Sequence, residues 1–259
     1  MQKLLHKTCV VTGAASGIGR AIAARFHDEG AIVIVTDIDE GAGASAAAEI
    51  GCRFQKLDVR EEADWQRLTS IVPVADVVVN NAGVTGFEGG VVAHDPEHAT
   101  LADWREVHRV NLDGTFLGCR YAISAMKAQG TGSIINISSR SGLVGIPGAA
   151  AYASSKAGIR NHSKTVALYC AQQGWKIRCN SIHPAAILTP IWEPMLGIGL
   201  DRESKMNALV ADTPLQRFGT PDEVAAVSLM LASDEATYVT GTEINIDGGL
   251  LAGSAASPG

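Results

Sequence analysis

The sequence predicts a doubly wound α/β domain on a seven-stranded parallel sheet, and three observations carry that expectation. Short β-branched apolar runs alternate with helical stretches along the chain, and strand–helix alternation with right-handed crossovers lays strands parallel between two helical layers. The runs are nearly continuous in apolar residues, as strands buried on both faces require. The chain has 259 residues, 46% of them hydrophobic and 19% charged, with no linker or low-complexity segment, so one domain, 1–259, with an ample core is expected.

The elements follow in order. Thr8–Thr12 reads as the first strand, and the turn Gly13–Gly19 opens a helix. Ile18, Ile22 and Phe26 recur there at four-residue spacing and give one apolar stripe. Gly30 stops the helix, because a terminal glycine tolerates the left-handed conformation. Ala31–Asp37 is the second strand, and an alanine-rich helix runs on to about Ile50. Phe54–Val59, Asp76–Asn81, Ser133–Ser138, Lys176–Ile182 and Thr242–Ile246 complete the sheet. Two stretches break the rhythm: a polar loop over 85–100 and a segment over about 185–220 that carries Trp192, Met195 and Leu196. Both leave from carboxyl ends of strands, where such sheets bind ligands, so both are candidate substrate walls.

Composition excludes several classes. There are 21 basic and 27 acidic residues, a net charge of −6, with no basic run, so no nucleic-acid partner is expected. No apolar run reaches membrane-spanning length. The first eight residues lack the apolar stretch of a secretory signal. Cys9, Cys52, Cys119, Cys170 and Cys179 are scattered without C-x-x-C spacing and read as reduced thiols of a cytoplasmic protein. His94-Asp95-Pro96-Glu97-His98 holds four metal-ligand types, but the proline between the histidines makes it a solvated loop, and no metal is expected.

Two constellations carry chemistry. Thr12-Gly13-Ala14-Ala15-Ser16-Gly17-Ile18-Gly19 lies between a strand and a helix. Glycines there let the backbone approach a pyrophosphate, and the helix N-terminus offers N–H groups and positive dipole. Asp37 ends the second strand, where a carboxylate accepts from adenosine ribose hydroxyls and repels a 2′-phosphate. No Lys or Arg stands at Ser16 or Ile38, so NAD is expected rather than NADP. The second constellation is Ser139 with Tyr152 and Lys156. Positions i and i+4 share a helix face, and an ammonium beside a phenol favours the phenolate. A tyrosine that titrates near about 10 must fall by roughly three units to act as a base at neutral pH. One ammonium at moderate dielectric supplies about that much, and an oxidised nicotinamide adds in the same direction.

These motifs, with Asn80-Asn81-Ala82-Gly83 and Asn111 in matching order and spacing over Thr8 to about Gly249, resemble the short-chain dehydrogenase/reductase family and its Rossmann fold. The resemblance implies cofactor contacts from Gly13, Ser16, Gly17, Ile18, Gly19 and Asp37. Asp58 and Val59 would flank the adenine, and Asn81, Ala82 and Gly83 would lie against the cofactor. Pro184, Ile187 and Thr189 would meet the nicotinamide end; Ala185 departs from the usual glycine. Tyr152 would be the general acid/base, and Lys156 would hold the nicotinamide ribose and lower the phenol's pKa. Ser139 would orient the substrate oxygen, and Asn111 would hold a water on the way to Lys156. The implied reaction interconverts a secondary alcohol and a ketone. Asn-Ser-Ile-His-Pro after the sixth strand is similar to bacterial hydroxysteroid dehydrogenases, so a bulky apolar alcohol is the expected substrate; a sugar or polyol, or a non-catalytic dinucleotide-binding module, are the alternatives. The resemblance also implies a homotetramer through helices near 103–128 and 152–174, with the tail 250–259 packing on a neighbouring subunit.

Overall fold

The computed structural model describes residues 2–90 and 92–253. Seven strands form one sheet: β1 Thr8–Thr12, β2 Ile32–Asp37, β3 Arg53–Lys56, β4 Val77–Asn80, β5 Thr131–Ile137, β6 Lys176–Pro184 and β7 Glu243–Ile246. Their spatial order is β3-β2-β1-β4-β5-β6-β7, and all six pairings are parallel. The order reverses between β1 and β4, which opens a crevice at their carboxyl ends. Strand ends shift by a few residues from the sequence expectation. The largest shift is at β3, which stops at Lys56 and leaves Asp58 and Val59 in the turn beyond it.

Nine helices flank the sheet among the described residues: α1 Gly17–Asp28, α2 Glu40–Ile50, α3 Glu62–Ile71, α4 Leu101–His108, α5 Gly114–Met126, α6 Ala150–Gln172, α7 Glu193–Leu196, α8 Arg202–Leu209 and α9 Pro221–Ala232. The strand pleat divides the core in two. Val11 and Val79 join Ile22 and Phe26 of α1 and Val224 and Leu229 of α9 on one face. Val10 and Val78 join Trp65, Leu68, Tyr121 and Val166 on the other. Burial on both faces is what the continuous apolar runs required. Helix starts are locally encoded. Thr220 and Glu223 form a reciprocal capping box, with Pro221 in the first turn, and Thr100 and Asp39 cap α4 and α2.

Two features near the crevice have no local sequence signal. Arg109–Asp113 forms a π-turn that joins α4 to α5; such widened turns recur at functional sites. Further along, α5 lies so close to β4 that a Cβ on Gly118 would overlap the Asn80 carboxamide, whose Nδ2 donates to Asn136 Oδ1 at 2.8 Å. The 85–100 stretch is a loop, but His94 within it is not solvated. Its ring is buried, Nε2 donates to the Gly86 carbonyl at 2.8 Å, and it meets Phe87 edge-on at 4.8 Å. His94 therefore pins the loop from inside. No group of three His, Cys, Asp or Glu suited to a metal occurs among the described residues.

Candidate active site

The cofactor crevice begins where β1 hands over to the glycine loop. Gly13 and Gly17 take φ of 61° and 54°, which only glycine adopts without strain. At Gly13 and Gly19 the loop is packed too tightly for a side chain. A Cβ on Gly13 would stand 2.7 Å from Ala82 Cα, and one on Gly19 would run into the Gly13 carbonyl. Asn81 holds the loop down: its Nδ2 donates to the Thr12 and Gly13 carbonyls at 2.9 and 3.0 Å. The backbone N–H groups of Asn81 and Ala82 both donate to Thr12 Oγ1 at 3.0 Å. Ser16, the N-cap of α1, makes no side-chain cap bond, and the first N–H groups of a helix have no intrahelical partner. Asp37 stands over this loop: Oδ2 accepts from Ala15 N and Oδ1 from Asp39 N, both at 3.0 Å. A glycine-rich cradle, helix N–H groups without intrahelical partners and an adjacent carboxylate together fit a dinucleotide.

Ser139, Tyr152 and Lys156 stand at the other end of the crevice, where β5 ends. Ser139 is extended, and its side chain accepts from Ser141 N at 3.1 Å. Its carbonyl receives a hydrogen bond from Nδ1 of the buried His183 at 3.0 Å, which leaves Nε2 to accept from the Ser181 hydroxyl at 2.9 Å. α6 carries Tyr152 and Lys156 one turn apart. The Ser138 hydroxyl clamps that helix by donating to the Lys156 carbonyl at 2.8 Å. Asn111, in the π-turn, is spent on the framework. Nδ2 donates to the Val84 carbonyl at 2.9 Å and to Ser155 Oγ at 3.0 Å, and Oδ1 accepts from Val84 N at 2.8 Å. The Ser155 hydroxyl in turn donates to the Tyr152 carbonyl at 2.8 Å. Asn111, Ser155 and Tyr152 thus form one chain of contacts. Gly83 closes the floor: a Cβ there would lie 3.1 Å from Asn111 Oδ1 and 3.3 Å from Lys156 Nζ.

Lys156 reaches from α6 to the end of β5. Its Nζ donates to the Ile137 carbonyl at 3.0 Å and lies 5.6 Å from the centroid of the Tyr152 ring. Burial lowers the lysine to about 8. Burial also raises Tyr152; the Ser139 hydroxyl opposes that rise, and the Glu88 carboxylate adds to it. Among the protein's own groups, desolvation of the phenolate is the largest influence on Tyr152.

The family model described as Enoyl-(Acyl carrier protein) reductase matches residues 13–251. The chain belongs to the short-chain dehydrogenase/reductase family. Similar proteins include an NADP-dependent (R)-specific alcohol dehydrogenase of Lentilactobacillus kefiri, 39% identical over 96% of this chain and 98% of the relative. A 3-beta-hydroxysteroid dehydrogenase of Comamonas testosteroni is 38% identical over 96% of this chain and 97% of its own. A 3-oxoacyl-[acyl-carrier-protein] reductase of Thermotoga maritima is 40% identical over 96% and 99%. Among solved structures, one described as ribose-5-phosphate isomerase from Brucella melitensis superposes with a TM-score of 0.86 at 32% identity, covering 96% of this chain and 94% of that one. A dehydrogenase/reductase of this family is an oxidoreductase that uses a nicotinamide dinucleotide, and the named alcohol and hydroxysteroid relatives place it among enzymes acting on CH–OH groups.

In this dehydrogenase/reductase the segment after β6 folds back over the glycine loop. A Cβ on Gly17 would lie 3.3 Å from Thr189 Cγ2. Ile187 sends its side chain into the core, and its carbonyl accepts from Trp192 Nε1 at 2.8 Å. Pro184 is buried at the end of β6, opposite Ile246. The apolar residues of the loop split between two roles. Trp192 packs edge-on to Phe218 at 5.5 Å, and Leu196 is buried. Ile198 and Leu200 are 98% and 107% exposed. Arg140 sits beside Ser139, partly buried. Every other buried or half-buried lysine or arginine has a side-chain ion pair or hydrogen bond among the described residues, and the Arg140 side chain has neither. Sequence reasoning missed Ser138, Ser155, His183 and Glu88, whose roles arise from long-range contacts. Asp58 is found not open but held by Arg60.

Proposed function

We propose that this chain interconverts a secondary alcohol and a ketone with NAD as cofactor. The reading rests on one observation: Ser139, Tyr152 and Lys156 lie at the same carboxyl end of the sheet as the glycine loop and Asp37. Bound NAD would exchange a hydride with the substrate carbon. The Tyr152 hydroxyl would take or return the proton of the substrate oxygen, with Ser139 Oγ holding that oxygen in place. Lys156, near 8, is mostly charged at neutral pH and would hold the nicotinamide ribose. The unpartnered N–H groups at Gly17 to Gly19 would take the pyrophosphate, Asp37 the adenosine ribose, and Asp58 and Val59 the adenine. Asp37 supports NAD over NADP because a carboxylate there repels a 2′-phosphate, although one relative is named as NADP-dependent.

A bulky, mostly apolar alcohol is the substrate class we favour. The 3-beta-hydroxysteroid and cyclopentanol dehydrogenases among the relatives support it, as do Ile198 and Leu200 on the 185–220 substrate loop. A sugar or polyol is the second reading. It draws on the Arg140 side chain, which has no partner among the described residues, and on the Glu88 carboxylate, which raises Tyr152. We further propose a cytoplasmic homotetramer. No helix among the described residues is long and apolar enough to cross a membrane. Phe116 on α5 and Leu168 and Tyr169 on α6 expose an apolar face suited to subunit contact. The tail beyond Gly253 lies outside the described residues.

Initial rates with NAD⁺ and NADP⁺ against hydroxysteroids, cyclic alcohols and polyols test this reading. Turnover of a hydroxysteroid or cyclic alcohol with NAD⁺ supports it, and turnover of polyols alone selects the second reading. Tight NADH binding with no turnover on any alcohol indicates a binding module. Asp37→Ala is expected to lower the NAD⁺/NADP⁺ ratio of kcat/KM by about tenfold or more, the weight of a lost charged hydrogen bond. An unchanged ratio removes Asp37 from the ribose.

A further inference from the structure

The turn that follows β3 is built with more care than a surface loop requires. Asp58 N donates to Asp64 Oδ2 at 2.9 Å, and the Val59 carbonyl accepts from Trp65 Nε1 at 3.0 Å. A Cβ on Gly114 would press on Val59. Within this turn the Arg60 side chain doubles back on Asp58. Its Nε donates to both carboxylate oxygens, at 2.9 and 3.1 Å, its Nη2 donates to Oδ2 at 2.7 Å, and its backbone N–H donates to Oδ1 at 3.0 Å. The remaining Nη1 donates to Glu106 Oε1 of α4 at 2.5 Å. Both side chains are largely covered, with exposures of 26% for Arg60 and 18% for Asp58.

A planar guanidinium that meets a carboxylate side-on fixes its rotation as well as its charge. A carboxylate locked before a ligand arrives loses no rotamer freedom on binding. A paired carboxylate also costs less to cover with an aromatic base than a bare one. The link to Glu106 carries the restraint onward to α4, the helix that leads into the π-turn of Asn111.

We propose that Arg60 is a positioning residue for the adenine half of the dinucleotide: its fork locks the Asp58 carboxylate in the orientation that accepts the ring's amino group. The proposal rests on the dinucleotide reading above and adds a residue that the glycine loop and the catalytic triad do not involve.

Equilibrium fluorescence titrations with NADH and with NMNH, the half lacking adenosine, test it without turnover. Arg60→Ala is expected to weaken NADH about tenfold, the size of a charge-assisted hydrogen bond, and to leave NMNH within about twofold. Arg60→Lys is expected not to restore NADH affinity, because one ammonium cannot span both oxygens. Wild-type NADH affinity in Arg60→Ala overturns the proposal, and so does an equal loss for both ligands, which would mean a distorted cleft. Asp58→Asn separates the two levels. If it weakens NADH while Arg60→Ala does not, only the role of Arg60 falls. If it leaves NADH unchanged, the adenine contact of Asp58 fails first and the proposal falls with it.

Discussion

The floor of the candidate site and its rim are built by different rules. On the floor, Asn111, Ser138, Ser155, Lys156 and His183 are buried, and each is tied by a hydrogen bond to a strand end, a helix or the loop beside Gly83. On the rim, Ile198 and Leu200 stand in solvent, and the Arg140 side chain has no partner among the described residues. The lesson is a division of labour. Proton chemistry needs atoms held within fractions of an ångström and so recruits the rigid scaffold. Substrate choice tolerates loosely held side chains and so sits on loops.

The strongest way to break this comparison is Tyr152→Phe. It is expected to cut turnover by about 10³-fold or more while NADH affinity stays within about twofold, since only the proton carrier is lost. Rates within tenfold of wild type would show that the floor does not hold the acid/base. A second test reads the floor's electrostatics. Lys156 titrates near 8 when folded, below the ordinary 10.5, so between those values the unfolded chain binds more protons, and stability gained from this group rises with pH. Wild type is therefore expected to gain on Lys156→Met by up to about 3 kcal/mol from pH 8 to 10.5 in denaturant melts. A flat difference would mean that the lysine is not desolvated. The gentlest test concerns the rim. Ile198→Ser with Leu200→Ser is expected to change stability by less than about 0.5 kcal/mol while lowering kcat/KM for an apolar alcohol several-fold and leaving a small alcohol unaffected. A large stability loss would show that these residues are packed and that the rim is not loose.

The same contrast explains what the sequence made legible. The succession of strands and helices, the glycine loop, Asp37 and the Tyr152–Lys156 pair are local signals: a period, a turn residue, an i,i+4 spacing. They were readable because each depends on residues near one another in the chain. The clamps were not. Ser138 meets a carbonyl 18 residues away, and His183 meets one 44 residues away. Nothing in a serine or histidine announces such a partner. The buried state of His94 was missed for the same reason, because its polar neighbours suggested solvent while the Gly86 carbonyl and Phe87 ring supplied an interior. The direction of the Tyr152 shift depended on burial, which spacing alone does not report.

The contact between Gly118 and Asn80 has a consequence for how this chain can change. Because the helix and the strand leave no volume between them for even one methyl group, the two positions form a single unit of inheritance. A library that varies position 118 while keeping Asn80 should return glycine almost alone; one that varies both should recover other pairs, each with a smaller partner on the strand.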